Sequence, residues 1–234
     1  MSIAKGNSSA SKMYLGSSEV SKIYKGTELV YGGGSGSRLP DGYTEVEYIS
    51  SNGSSHVDLG IVQKSRNFVL EMKFRWIGST ASQFETFFGY MAASGSTPRS
   101  GFHKYTGKWM FGTNATKTTT VAVDNDVHVI RIEGKATGNK DYLYIDGTQI
   151  TNASTSSTGL SGNTIPFYAF SRNRNGSTDN PASADIFYIN YDVYSSSDYT
   201  TQTAGYEMVP CYNSSNVYGF YDIVNDEFHP LVTG

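Results

Sequence analysis

After residue 38 apolar and polar positions alternate with a period of two, which predicts β-strands, and no segment sustains a helical period. Across 68–77, Phe68, Leu70, Met72, Phe74 and Trp76 share one face while Val69, Glu71, Lys73 and Arg75 share the other, the pattern of a half-buried strand. Residues 43–49 alternate in the same way, Asn52-Gly53 supplies a tight hairpin turn, and Val57, Leu59 and Ile61 face opposite to His56, Asp58 and Gly60. Further strands are predicted at 85–90, 108–111, 127–133, 166–170, 184–194, 207–210, 217–222 and 227–229. Residues 141–150 read as a hairpin whose Asp146-Gly147 pair suits a type I′ turn, where two positive φ angles are needed. The intervening segments 93–101 and 171–183 read as polar loops. About a dozen short strands exceed what one sheet comfortably holds, so an all-β fold of two packed antiparallel sheets is expected.

Ahead of this pattern lies a decapeptide repeat, SKMYLGSSEV followed by SKIYKGTELV over residues 11–30. Each copy reads as strand, glycine turn, strand, with Met13 matching Ile23 and Tyr14 matching Tyr24; Val30 and Tyr31 end the second copy. Such a hairpin or meander buries too little surface to stand alone, so it requires a partner. Met13, Tyr14, Ile23, Tyr24, Val30 and Tyr31 are therefore the expected attachment or oligomer contacts. The GGGSGS run at 32–37 has the composition of a flexible tether, spanning on the order of 12 to 15 Å as a coil. The expected domains are an N-terminal attachment module at 1–31, a linker at 32–38 and a sandwich at 39–234.

Composition narrows the function classes. Only 17% of the 234 residues are charged, and the net charge is −3 with scattered Lys and Arg, which argues against nucleic acid as a partner. Cys211 is the single cysteine, so no intramolecular disulfide is available and a buried packing role is expected. Neither a membrane-spanning apolar run nor a signal-peptide core is present, so membrane insertion is not expected and any extracellular role implies another route of release. His56, His103, His128 and His229 lie far apart without zinc spacing, and Asp124-Asn125-Asp126 reads as turn chemistry as readily as a calcium loop, so no metal or cofactor is expected.

Three phrases in order resemble the concanavalin A-like lectin/glucanase superfamily, in particular the laminin G-like domains of bacteriophage structural proteins. They are LPDGYTEVEYISSNGSSHVDLGI at 39–61, VHVIRIEGKATGNKDYLYIDGTQI at 127–150, and the closing pair AFSRNRNGSTDNPASADIFYINYDVY at 169–194 and MVPCYNSSNVYGFYDIVNDEFHP at 208–230. The decapeptide repeat is also similar to short Tyr-x-Gly repeats that precede such domains in tail and fibre proteins. The resemblance implies a two-sheet antiparallel jelly-roll sandwich with a small N-terminal β module. It further implies a non-enzymatic virion protein of tail, fibre or capsid surface, a homo-oligomer among other virion proteins, contacting a bacterial surface glycan. A purely architectural virion domain is the alternative.

A glycan hydrolase is the remaining reading, because the superfamily contains glucanases and Glu45 and Glu47 are two apart on one predicted strand, about 6.5 to 7 Å along it. The glucanase pattern sets a third acid two positions further on, and here that position is Ile49, so two exposed carboxylates are expected instead. Sugar recognition needs an aromatic face beside amide and guanidinium groups. Two predicted loops offer it: 103–109, with Tyr105 and Trp109, and 171–175, with Arg172, Asn173, Arg174 and Asn175. Trp109 alternates with Phe111 and fits a core position as well. Limited proteolysis of the free protein is expected to cut first within 32–37; first cuts elsewhere would refute the tether.

Overall fold

The computed structural model describes residues 38–79, 83–92 and 97–233, and before them the backbone of four short strands. The chain divides into two units, Met1–Pro40 and Asp41–Gly234. In the first, β1 (Tyr14–Leu15) pairs with β2 (Ser18–Glu19) and β3 (Lys22–Lys25) with β4 (Glu28–Gly32), both antiparallel. Each copy of the repeat thus contributes one hairpin pair. Tyr14, Ile23, Tyr24, Val30 and Tyr31 lie on these strands, whereas Met13 and the segment 33–37 fall outside the described residues.

The second unit contains no helix among its described residues. Its strands are β5 (Tyr43–Glu45), β6 (Ile49–Asn52), β7 (Ser55–Asp58), β8 (Phe68–Trp76), β9 (Glu85–Met91), β10 (Arg99–Tyr105), β11 (Lys108–Thr113), β12 (Lys117–Ala122) and β13 (Val127–Lys135). They continue with β14 (Lys140–Ile145), β15 (Thr148–Ser154), β16 (Tyr168–Ala169), β17 (Arg172–Arg174), β18 (Ser177–Asp179), β19 (Ser183–Tyr194), β20 (Gln202–Asn213), β21 (Tyr218–Asp222) and β22 (Glu227–Thr233). One sheet runs β15-β14-β13-β8-β19-β20-β21-β22, with β6 against β19 and β5 against β20 where those two long strands part. The other runs β12-β11-β10-β9-β16-β7-β22, and the β17–β18 hairpin extends from β9. Strand β22 serves both sheets: 227–230 pair with β21 and 231–233 with β7. The two sheets form the expected antiparallel jelly-roll sandwich.

The predicted rows face the core. Phe68, Leu70, Met72, Phe74 and Trp76 are buried on β8, as are Val57, Leu59 and Ile61 around β7 and Cys211 on β20. Phe74, Phe87, Phe102 and Trp109 pack as one aromatic cluster, with Phe74 and Phe102 each 5.4 Å from Trp109 between ring centres. Asp146 and Gly147 have φ of 49° and 78°, as a type I′ turn requires.

Asn52-Gly53 does not close a hairpin. Strands β6 and β7 belong to opposite sheets, so the turn is a corner at which the chain crosses the sandwich; both strands carry a buried row because each faces the core from its own side. The segment 103–109 is not a loop either. Strands β10 and β11 form a hairpin turning at Thr106-Gly107, with Lys104 opposite Trp109. The expected loop at 171–183 contains the β17–β18 hairpin, turned by Asn175-Gly176.

Two buried ion pairs tie the sheets together. Lys104 on β10 and Glu85 on β9 meet at 2.8 Å, and Trp76 of the facing sheet donates its indole N–H to the same carboxylate at 3.0 Å. The Lys104 ammonium also stands 4.2 Å from the centre of the Trp76 ring, and the backbone N–H of Ser183 donates to Glu85 at 3.2 Å. Arg66 and Asp141 form the second pair at 2.7 Å, and the Thr113 N–H of the opposite sheet donates to Asp141 at 2.7 Å. Removing one member of such a pair strands a charge in low dielectric, so Lys104→Met is expected to cost about 3–5 kcal/mol by chemical denaturation. Lys104→Met combined with Glu85→Gln should recover part of that loss; a cost below about 1 kcal/mol for the single change would mean that the pair behaves as a surface pair.

Candidate functional site

Strand alternation around the Glu85–Lys104 pair builds a surface on the outer face of the second sheet. Because Glu85 and Lys104 point inward, their chain neighbours Phe84, His103 and Tyr105 point outward. The three rings meet: Phe84 lies 5.1 Å from His103 and 5.8 Å from Tyr105 between ring centres. Tyr105 is 45% exposed, leaving an aromatic face open to solvent. Arg172, brought alongside by the parallel pairing of β17 with β9, lays its guanidinium 5.3 Å from the Phe84 ring centre. A recess of about 130 Å³ opens here, lined by Phe84, Arg99, His103, Met110, Thr116 and Arg172.

His103 is fully enclosed at the floor of the recess, its Nδ1 2.9 Å from the Thr86 hydroxyl. Its ring lies across the β9–β10 backbone, and a Cβ on Gly101 would come within 2.6 Å of it, so glycine is required there. Desolvation, then the positive charges of Arg172 and Arg99, push the imidazole down to about 3. It is neutral at physiological pH, so the charge in the recess is that of its arginines. Arg172 is held by Asp179, to which its Nε donates at 3.2 Å. Arg99 has no ion-pair partner among the described residues, and its Nε is buried there without a hydrogen-bond acceptor.

Phe84 also borders a second, more open recess of about 480 Å³, lined by Asn52, Gln83, Glu85, Asn180 and Ser183. This one presents amides, a hydroxyl and one carboxylate. The two recesses flank a single aromatic ring.

Of the six sugar-contact residues expected from sequence, the fold gathers Tyr105 and Arg172 around Phe84. Arg174 stands exposed on the same hairpin, 3.9 Å from Asp179. Asn175 is exposed at the hairpin turn. Trp109 is not a sugar contact: it is 1% exposed within the aromatic cluster, and a buried ring offers no face to a ligand. Asn173 is also buried, where its amide donates to the Pro166 carbonyl at 3.0 Å and accepts from the Gly176 N–H at 2.7 Å, shaping the hairpin. Phe84, Arg99 and His103 were not anticipated. Arg99 sits in a segment of loop-like composition, and Phe84 directly precedes a strand, so only the pairing of β9 with β10 and β17 reveals them.

Glu45, at the end of β5, and Glu47, in the bend after it, are both exposed, and Ile49 on β6 is buried. Asp124 and Asp146 clasp His128 at 2.8 and 2.7 Å, while Asn125 donates to the Trp76 carbonyl, so this loop carries out turn and strand-tethering roles. No cluster of three metal-ligating side chains occurs among the described residues.

No protein-family model matches the chain, and no curated protein matches it by sequence. Solved structures do match in shape. The Ruminococcus gnavus IT-sialidase CBM40 bound to α2,3-sialyllactose superposes with a TM-score of 0.51 at 13% identity, covering 70% of this chain and 97% of that one. The same domain bound to α2,6-sialyllactose gives 0.52 at 12%, over 70% and 97%. A candidate carbohydrate binding protein from Bacteroides ovatus gives 0.52 at 8%, over 80% of this chain and 58% of that one. The large unit has a concanavalin A-like jelly-roll fold. These neighbours are lectin-like domains, and at such identity the likeness is one of fold.

The lowered His103 pKa fixes a pH dependence. Folded-state depression below the ordinary 6.5 means stability is fully present above 6.5 and is lost as pH falls toward about 3, where only the unfolded chain readily takes the proton. His103→Gln should therefore gain melting temperature relative to the native protein as pH drops from about 7 to 4. A constant offset across that range would show that His103 titrates normally.

Proposed function

We propose that the large unit is a non-catalytic, lectin-like glycan-binding module and that the surface around Phe84 is its binding site. The observation that carries this reading is the outward cluster of Phe84 and Tyr105 with Arg172 beside them, flanked by two recesses on a rigid sheet. Aromatic faces take the apolar C–H face of a sugar ring, while guanidinium and amide groups bond its hydroxyls. Tyr105 and Arg172 are held on paired strands and Phe84 directly precedes β9, which limits the ordering entropy that opposes binding. The fold is shared with domains solved with sialyllactose, which supports the same use here.

Binding rather than hydrolysis is favoured by the carboxylates. Glycoside cleavage uses a pair of acids across the scissile bond. Glu85, the one carboxylate lining the recesses, is already committed to Lys104, Trp76 and Ser183, and the nearby Asp179 to Arg172. Glu45 ends β5 on the other sheet and Glu47 lies in the bend between β5 and β6, so the predicted strand 43–49 is broken, the two acids do not share a strand face, and the third position is the buried Ile49.

Our proposal sets this module on the exposed surface of a bacteriophage particle, in a tail, fibre or capsid-decorating protein. The N-terminal unit would attach it to other virion proteins or to copies of itself. Support comes from the order of the three sequence phrases and from the decapeptide repeat, whose two hairpin pairs are each too small to be stable alone.

Glycan-array screening of the whole chain tests the binding function. Bound glycans should be lost, by about tenfold or more in affinity, when Phe84→Ala and Tyr105→Ala are combined, since each ring contributes stacking on the order of 1 kcal/mol. Binding unaffected by both changes would move the site elsewhere, and an array with no bound glycan would leave an architectural virion domain. Antibody labelling of residues 41–234 on intact particles tests the location.

A further inference from the structure

The two recesses beside Phe84 differ in charge, and that difference gives the site a direction. The first holds Arg99 and Arg172 with a neutral His103 between them. Arg172 spends its Nε and one terminal nitrogen on Asp179, leaving guanidinium donors over. Arg99 spends none on a carboxylate among the described residues, and its buried Nε has no acceptor there. Arg99 lines the recess, so its positive charge, not offset by a carboxylate among the described residues, attracts an oxyanion entering there. The second recess has no cation among its lining residues. Glu85, only 6% exposed, forms its wall beside Asn52, Gln83, Asn180 and Ser183. Glu85 is already paired with Lys104, so a carboxylate placed there would find no cation among the lining residues to pair with, whereas sugar hydroxyls find both donors and acceptors in the amides and the Ser183 hydroxyl.

We infer that the site reads an acidic oligosaccharide in one orientation, its carboxylate-bearing unit in the Arg99–Arg172 recess and a neutral, hydroxyl-rich unit in the Asn52–Gln83–Asn180 recess, with Phe84 between them. This rests on the glycan-binding reading of the same surface and adds the ligand's chemical class and polarity. Arg172 and Phe84 act together: the guanidinium 5.3 Å from the ring keeps its plane beside the aromatic face, so stacking and carboxylate pairing are offered to adjacent sugar units. Neutral His103 contributes no competing negative charge and no further positive one, so affinity for the acidic unit is set by the two arginines.

The test uses the full chain on an array of sialylated and uronate-containing oligosaccharides beside their neutral counterparts, followed by calorimetry on the best-bound matched pair. Acidic members should bind about tenfold or more tightly than their neutral partners, with affinity falling as salt rises. Arg99→Gln should erase that preference, and Arg172→Gln should erase it while also weakening neutral binding. Gln83→Ala should weaken the oligosaccharide and leave the free acidic monosaccharide unchanged. Equal binding of acidic and neutral members, or a preference that survives both arginine changes, would overturn the inference while leaving the binding function intact. A blank array with folded protein would remove the binding function itself, and this inference with it.

Discussion

Glu85 and Lys104 face each other across adjacent strands inside the sandwich, and much of the large unit is arranged to make that tolerable. Two charges removed from water cost several kcal/mol each unless geometry and further hydrogen bonds offset the loss. Here the offset comes from both sheets: the Trp76 indole N–H and the Ser183 N–H complete the carboxylate, and the Trp76 ring faces the ammonium. The pair is therefore stable only when β8, β9, β10 and β19 stand in register. A shift by one residue would turn both charges outward and take Phe102 and Trp109 out of the core with them. Arg66 and Asp141 impose the same requirement between β14 and β11, where burial pushes the Asp141 carboxyl up to about 6 despite Arg66 beside it.

The outer surface inherits its order from this constraint. With Glu85 and Lys104 fixed inward, Phe84, His103 and Tyr105 have no choice but to stand outward together. The β17–β18 hairpin then adds Arg172, positioned by its pairing with β9 and by Asp179. His103, Tyr105 and Arg172 rest on hydrogen-bonded strands and Phe84 directly precedes one, so the proposed binding face is largely preorganised. Burial of His103 under Phe84 and between two arginines suppresses its protonation and leaves the recess with a charge that varies little across physiological pH. The same strand pairing thus decides both core packing and surface chemistry.

Much of the fold was legible in the residues. The alternation of β8, the inward row Val57, Leu59 and Ile61, and the Asp146-Gly147 turn all follow from period and turn chemistry, and the structure agrees at each. Strand β10 was not legible, because its inward positions include Lys104 and its outward ones Gly101 and His103, which hides the period. Asn52-Gly53 misled for a related reason: a glycine turn between two alternating strands looks the same whether the strands pair or part to opposite sheets. Trp109 and Tyr105 occupy one hairpin, yet one ring is core and the other is surface. Tyr105 and Arg172 were identified from composition alone; Phe84 and Arg99 needed the pairing partners of β9.

By itself the sequence determined an all-β chain, the faces of its strong strands and a repeat-bearing segment ahead of the large unit, since these depend on local period and turn residues. Which strands pair, which turn is a corner and which charged residues go inside were decided only by tertiary structure. The physical reason is that burying Lys104 or orienting Arg172 is favourable only once a distant partner, Glu85 or Asp179, has been brought within hydrogen-bonding distance. Local residue preference carries no information about that distance.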